Sequence, residues 1–251
     1  CQSDCSGVGY PLVEQVININ ADLSDLTHYN RTIALQGDIG AVVAQLMSAL
    51  EGVPDENAQP RAAWLEACTA SKAAWKNFLH ERQSTPPLFD DVWQRPVLTQ
   101  PVAIKVVCDF ANAVHAIKFF DAGDVQANGF QTVEDDSPGQ TYTESGASYM
   151  GFATCAVTAA GMASTEQYPI AFTGDGSFMM NPQALISAVE HGARGTIVIF
   201  DNRRMAAISS LQHAQYGQDF CTNDAVAVDY VQMAASVKGV QALWGGEDVT
   251  S

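Results

Sequence analysis

The chain has 251 residues, enough for one large domain or for a domain with a piece of another. An apolar fraction of 47% supports a full core, while 28 acidic against 12 basic residues leave a formal charge of −16. That balance argues against a nucleic-acid or anionic-membrane surface, so a polyanion such as a diphosphate must be met by backbone N–H groups or a metal.

The six cysteines are Cys1, Cys5, Cys68, Cys108, Cys155 and Cys221, and none has zinc-type spacing with another Cys or His. They read as scattered buried thiols of a reducing cytoplasm. No signal peptide or membrane-spanning apolar run is apparent, and the start at Cys1 without Met suggests an incomplete or processed product.

In chain order, Val13 to Asp22 alternates apolar and polar residues and predicts a strand. Gly37 to Gly52 has helical spacing, with Asp38 near its start and Gly52 placed to cap its end. Val53 to Pro60 is polar and bounded by prolines, the best linker candidate. One strand and one helix cannot close a core, so residues 1–52 read as the tail of one domain, 53–60 as a linker and 61–251 as a second domain. A helical stretch carrying Trp64 and Trp75 leads to a proline-rich crossing at Pro86, Pro87 and Pro96. Then come a helix over Val102–Val114, a strand over Ala116–Phe120, the turn Asp121–Asp124, and a small-residue helix over Ser148–Ala163. Strand Tyr168–Thr173 follows, then a helix with Asn181 as N-cap, Pro182 at its first position and Gly192 after its end. Gly195–Phe200 is a continuous β-branched run of the kind buried on both sheet faces. The last clear helix spans Val228–Gly239; the turn after Leu243 and Trp244 looks like the start of another, so a final strand and helix are expected to be missing. Strand–helix alternation of this kind predicts an α/β fold, a parallel sheet flanked by helices with right-handed crossovers.

Two of these strands end in similar polar residues, Gly174-Asp175-Gly176-Ser177 and Asp201-Asn202-Arg203-Arg204. In an open parallel sheet, ligands sit in the crevice outside the carboxyl ends of the strands. Asp175 and Asn202 would supply hard oxygen donors suited to Mg²⁺, which keeps water and substrate phosphate for its other positions. Glycines on both sides of Asp175 let backbone N–H groups approach a phosphate. An Asp-Gly turn alone is common at strand ends; its pairing with an Asn at the next strand end is more informative.

Gly-Asp-Gly followed by Asn 27 positions beyond the Asp resembles the signature of thiamine-diphosphate enzymes of the acetolactate synthase-like type. The resemblance covers nearly the whole chain, as the end of a middle α/β domain followed by the diphosphate-binding domain. It implies thiamine diphosphate and Mg²⁺ as cofactors, with Gly174, Asp175, Gly176 and Ser177 at the diphosphate. It also implies Asp175, Asn202 and the backbone carbonyl of Arg204 as metal ligands. The stretch from Gly146 to Phe152 matches the family's, making Met150 the large apolar residue that holds the cofactor bent. The turn from Asp121 to Gln126 matches a loop facing diphosphate and substrate, which adds Asp124 and Gln126. The family's usual Asn-Asn is Asp201-Asn202 here, with the liganding position kept. The activating Glu lies on a pyrimidine-binding domain, expected from the same gene or a second polypeptide, in a homodimer or tetramer.

The expected activity is C–C lyase or carboligase chemistry on a 2-oxo acid or related α-dicarbonyl. The alternatives are ring-opening hydrolysis of a cyclic 1,2-dione with the same cofactor, or a non-catalytic cofactor-binding subunit. Gln212 and His213, beyond the metal loop, read as a solvated loop rather than substrate contacts; His191 reads as a dipole partner at a helix end. His28, His80 and His115 receive no role.

Overall fold

The computed structural model describes residues 12–26, 31–54, 58–144, 146–163, 166–222 and 226–250. His28, Cys1 and Cys5 lie outside the described residues. The chain forms two compact units, one ending at Ser71 and the other running from Lys72 to Ser251.

In the first unit, strand β1 (Val16–Asn20) pairs in parallel with β2 (Thr32–Gln36), from Val16 opposite Thr32 to Asn20 opposite Gln36. The second strand has too little alternation to be read from sequence. Helix α1 (Ile39–Ala49) starts where expected because the Asp38 carboxylate accepts the Ala41 N–H at 3.0 Å. Gly52, at φ 76°, takes the left-handed conformation that closes the following turn. Helix α2 (Ala58–Gln83) begins inside the segment read as a linker, of which residues 55–57 are outside the described set, and crosses the division between the units.

The second unit opens with an antiparallel hairpin, β3 (Leu88–Asp90) and β4 (Arg95–Val97), where only a proline-rich crossing was expected. The Asp90 carboxylate ties its turn by accepting the N–H groups of Val92 and Trp93 at 2.8 and 2.9 Å. Then follow α3 (Gln100–Ala113), β5 (Ile117–Phe120), α4 (Asp124–Thr132), β6 (Thr141–Thr143), α5 (Phe152–Met162) and β7 (Pro169–Gly174). The chain continues through α6 (Asp175–Phe178), α7 (Ala184–Glu190), β8 (Thr196–Phe200), α8 (Ala206–Tyr216) and α9 (Tyr230–Ala235).

Strands β5 to β8 form one parallel sheet in the order β6-β5-β7-β8. Alternate side chains of a strand face opposite sides, and the two cores follow that alternation. Phe120, Ile170 and Phe172 pack with Ile104, Cys108 and Ala111 of α3 and Val125 of α4. Ile117, Phe119 and Ala171 pack on the other side with Ala153 and Val157 of α5. Burying both faces explains why β5 is apolar with almost no polar break. From β5 the chain passes outward to β6, then returns to β7 on the opposite side of β5. The strand order therefore reverses between β5 and β7, and the crevice at their carboxyl ends is the fold's natural ligand position.

Several expectations are corrected. The small-residue helix begins at Phe152 rather than Ser148, because Gly151 adopts φ 89° and leaves Tyr149 and Met150 in a turn. Asn181 is not the N-cap of α7; i→i+3 bonds from Ala184, Leu185 and Ile186 to residues 181–183 make a tighter turn, and Gln183 takes the cap position. Strand β8 is only half-buried, since it is an edge of the described sheet. Gln212 and His213 sit on helix α8 rather than in a loop. Of the four described cysteines only Cys108 is buried, and burial pushes its thiol up to about 12, which makes it inert at neutral pH.

Candidate active site

Gly174 pairs with Phe200 as the last residues of β7 and β8, so the chain leaves the sheet at Asp175 and Asp201 side by side. The Asp175 side chain is buried, 6% exposed. Burial raises its carboxyl to about 6, and the charge and hydrogen bond of Asp201 push the same way against the Gly176 and Arg203 N–H groups. Asp201 is also raised, first by burial. Burial and mutual repulsion both disfavour two negative charges here, and a divalent cation between the carboxylates would offset both. Asp201 is the carboxylate that sequence reasoning missed: it was read only as a departure from Asn. The signal that could have found it is its place one residue past a strand end, level with Asp175.

Asn202 is exposed, and its amide oxygen accepts the Arg204 N–H at 2.9 Å in a local turn. It follows Asp201, whose Oδ1 accepts the Arg203 N–H at 3.2 Å. Arg203 holds φ 50° and its guanidinium clamps Asp90 of the β3–β4 hairpin at 2.5 Å, which holds the Asp90 carboxyl below its usual range. The Arg204 side chain turns away to Ser209 Oγ (2.9 Å) and Asp219. The loop after β8 is therefore fixed from two directions by its own arginines.

On the other side of the crevice, the turn carrying Met150 lies against α6. A Cβ on Gly176 would stand 3.4 Å from Met150 Cε, so that methyl already rests over the glycine that follows Asp175. Gly151 admits no side chain: a Cβ there would be 2.6 Å from Asn181 Nδ2 and 3.3 Å from the Ser177 carbonyl. Before the turn, the Glu144 carboxylate accepts the N–H groups of Gly146, Ala147 and Tyr149 at 2.8 to 3.3 Å. A cavity of about 380 Å³ opens beside it, lined by Tyr149, Met150, Phe152, Cys155 and Ala159.

Asp124 opens α4 at the end of the β5 turn. Gln126 is drawn onto β6 instead, donating to Thr143 Oγ1 at 2.6 Å. Gln212 Oε1 accepts the Phe220 N–H at 2.7 Å, which ties it to the segment after α8. Ser177 is buried in α6 beside Asp175. The structure thus gathers Gly174, Asp175, Gly176, Ser177 and Met150 at one crevice and adds Asp201, while Asn202 and Arg204 occupy the adjoining loop. Among the described residues no group of three or more His, Cys, Asp or Glu side chains clusters as a metal site, and no helix is long and apolar enough to cross a membrane.

Residues 121–249, just over half of the chain, match the family described as thiamine pyrophosphate enzyme, C-terminal TPP binding domain. The acetolactate synthase isozyme 1 large subunit of Escherichia coli is 27% identical over 88% of this chain and 36% of its own length. The 3D-(3,5/4)-trihydroxycyclohexane-1,2-dione hydrolase of Lacticaseibacillus casei is 26% identical over 90% of this chain and 37% of its own length. The hydrolase of the same name from Listeria monocytogenes is 27% identical over 86% of this chain and 37% of its own length. The chain therefore spans less than two fifths of the length of these curated relatives.

Proposed function

Since the chain belongs to the thiamine pyrophosphate enzyme family through its C-terminal TPP-binding domain, we propose that it supplies the diphosphate-binding half of an enzyme that cleaves a C–C bond beside a carbonyl. The reaction we favour is hydrolytic ring opening of a cyclic 1,2-dione. The observation that carries the cofactor reading is buried Asp175 beside the reversal of strand order, with half-buried Asp201 next to it at the end of the neighbouring strand and Met150 lying over Gly176.

The residues fit the group. The donor set is all hard oxygen, from the Asp175 and Asp201 carboxyls and the Asn202 amide to the Arg204 carbonyl, which suits Mg²⁺ rather than a thiophilic metal. A cation would offset the repulsion between the two carboxylates, and the absence of a side chain at Gly174 and Gly176 leaves room for phosphate oxygens. Asp175 would hold the metal, with Asn202 and the Arg204 carbonyl as its partners in the loop and Asp201 close by. Ser177 and the Gly176 N–H would face the diphosphate. Met150 would support the bent cofactor and keep water from its reactive face. Asp124 and Gln126 would border the site from α4. When bound, thiamine diphosphate supplies a carbon nucleophile and an electron sink for C–C cleavage. The pyrimidine side is expected to come from a separate domain.

Ring opening is supported by similarity to cyclic 1,2-dione hydrolases from two genera over 86% to 90% of this chain. The second reading, lyase or carboligase chemistry on a 2-oxo acid, draws on an acetolactate synthase of equal identity. The test is to load the full-length protein with thiamine diphosphate and Mg²⁺ and offer a cyclic 1,2-dione and pyruvate separately. An acyclic acid heavier than the dione by one water supports ring opening. Carbon dioxide from pyruvate with no change in the dione supports the second reading. Asp175→Ala should abolish cofactor retention, because a charged ligand is lost; unchanged affinity in calorimetry removes the assignment.

A further inference from the structure

Asp121 lies at the carboxyl end of β5, on the opposite side of the strand-order reversal from the ligand set above, and it is fully buried. A buried carboxylate is costly, and in this fold its cost is offset by hydrogen bonds from three separate segments. Its Oδ1 accepts the Ala122 N–H at 3.1 Å and the Gly151 N–H at 2.8 Å. Its Oδ2 accepts the Thr173 hydroxyl at 2.8 Å. The Ala153 backbone N–H, in the first turn of α5, acts on it as well. Burial raises its carboxyl and these donors pull the other way.

The partners are what matter. Gly151 is the residue after Met150, in the left-handed conformation, and is pressed from its other side by Asn181, Met180 and Ser177. Thr173 stands two residues before Asp175 on β7 and is itself fully buried. One carboxylate therefore bonds at the same moment to the turn that presents Met150 and to the strand that presents Asp175. An apolar residue would fill the space without holding either, and a single acceptor would hold only one.

We propose that Asp121 is a positioning residue that sets the separation between the Met150 turn and the Asp175 strand end, and so the width of the crevice that receives thiamine diphosphate. The inference rests on the cofactor reading of this site. Asp121 itself touches neither cofactor nor substrate; it acts through Gly151 and Thr173. Its amide counterpart can keep both bonds, with the oxygen accepting from Gly151 and the NH₂ donating to the Thr173 hydroxyl. Geometry rather than charge is what the two partners require.

The experiment uses the full-length protein titrated with thiamine diphosphate at saturating Mg²⁺, with calorimetric affinity, the near-ultraviolet circular dichroism of the bound cofactor and the thermal midpoint read together. Asp121→Ala is expected to weaken cofactor binding by about tenfold to a hundredfold, the usual range for losing a residue that orients a ligand set, and to change the dichroism of whatever cofactor is bound. Asp121→Asn is expected to restore most of both. Thr173→Val, which keeps shape and removes one bond, should weaken binding by a smaller factor without unfolding and serves if the Ala variant fails to fold. A merely structural role would lower the thermal midpoint of Asp121→Ala or Thr173→Val while leaving affinity within twofold of wild type and the dichroism unchanged, and that result overturns the inference. Wild-type protein that binds no thiamine diphosphate removes the cofactor reading itself, an outcome distinct from wild-type binding that the variants leave intact.

Discussion

Asp175 is neutral more readily in this fold than in water, because burial and the neighbouring Asp201 carboxyl both disfavour its charge. A carboxyl raised from 3.8 to about 6 contributes stability that is fully present below 3.8 and is lost as pH rises through 6. In metal-free full-length protein the unfolding midpoint of wild type should therefore fall relative to Asp175→Asn between about pH 4 and about pH 7. Mg²⁺ should reverse this at the upper end, since it binds only the ionised form. Thermal melts of the two proteins with and without Mg²⁺ check the sign, and a wild type that gains on the Asn variant with rising pH is the wrong sign. Met150 makes a second case at this scale. It is half-buried, so Met150→Ala should lower stability by less than the roughly 2–5 kcal/mol of a full core truncation. Turnover should fall by more than that loss explains, while Met150→Leu, close in volume, keeps much of it. Equal turnover in folded Ala variant and wild type would leave Met150 as packing alone.

At the scale of elements, the site depends on how closely helices approach the sheet. Helix α5 reaches the segment before β8 through Gly161, where a Cβ would stand 2.4 Å from the Arg194 carbonyl oxygen and 2.8 Å from its nitrogen. Both are backbone atoms and cannot rotate away. Overpacking of this kind costs about 1–3 kcal/mol, enough to outweigh the roughly 1 kcal/mol gained from Ala's better helix propensity, so Gly161→Ala should be net destabilising. Chemical denaturation measures it, and an unchanged midpoint means that α5 can shift without cost. The same helix is preceded by the Met150 turn, so a shift of α5 moves the site. The β3–β4 hairpin plays a comparable part on the other side, because Asp90 both closes its own turn and holds Arg203 in the loop after β8.

At the scale of the whole molecule, the crevice is bordered by apolar side chains that water covers in this chain. Tyr149 is 64% exposed and Met180 54%, beside the cavity at Met150. Exposed apolar surface of this kind is the mark of a contact site, and the proposed occupant is the pyrimidine-binding domain. Full-length protein is expected to sediment as a dimer or tetramer and to exchange the C2 proton of bound thiamine diphosphate at enzyme-like rates only in that assembly. Enzyme-like exchange in a monomer of residues 1–251 would sink the proposal.

Much of this was written in the residues themselves. The apolar runs of β5 and β7, the Asp38 cap and the Gly-Asp-Gly turn are local: periodicity, capping chemistry and a strand-end position are set by neighbours within a few residues. The parallel α/β class and the pairing of Asp175 with the end of the next strand followed from them. Strands β2 and β6 and the β3–β4 hairpin were not legible, because short strands are defined by the partners they bond rather than by their own pattern. Met150 was named as a site residue but placed in a helix, since Gly151 reads as one more small residue until Asn181 is seen to forbid a side chain beside it. Asp201 stood at a strand end in the sequence, but its pairing with Asp175, like the role of Asp121, needed tertiary structure. Each is an ordinary turn residue by sequence, and its role comes from a partner 26 to 52 positions away: Asp175 for the first, Gly151 and Thr173 for the second. Sequence determined which strands end in oxygen donors; the order in which the strands lie side by side decided which of those donors meet.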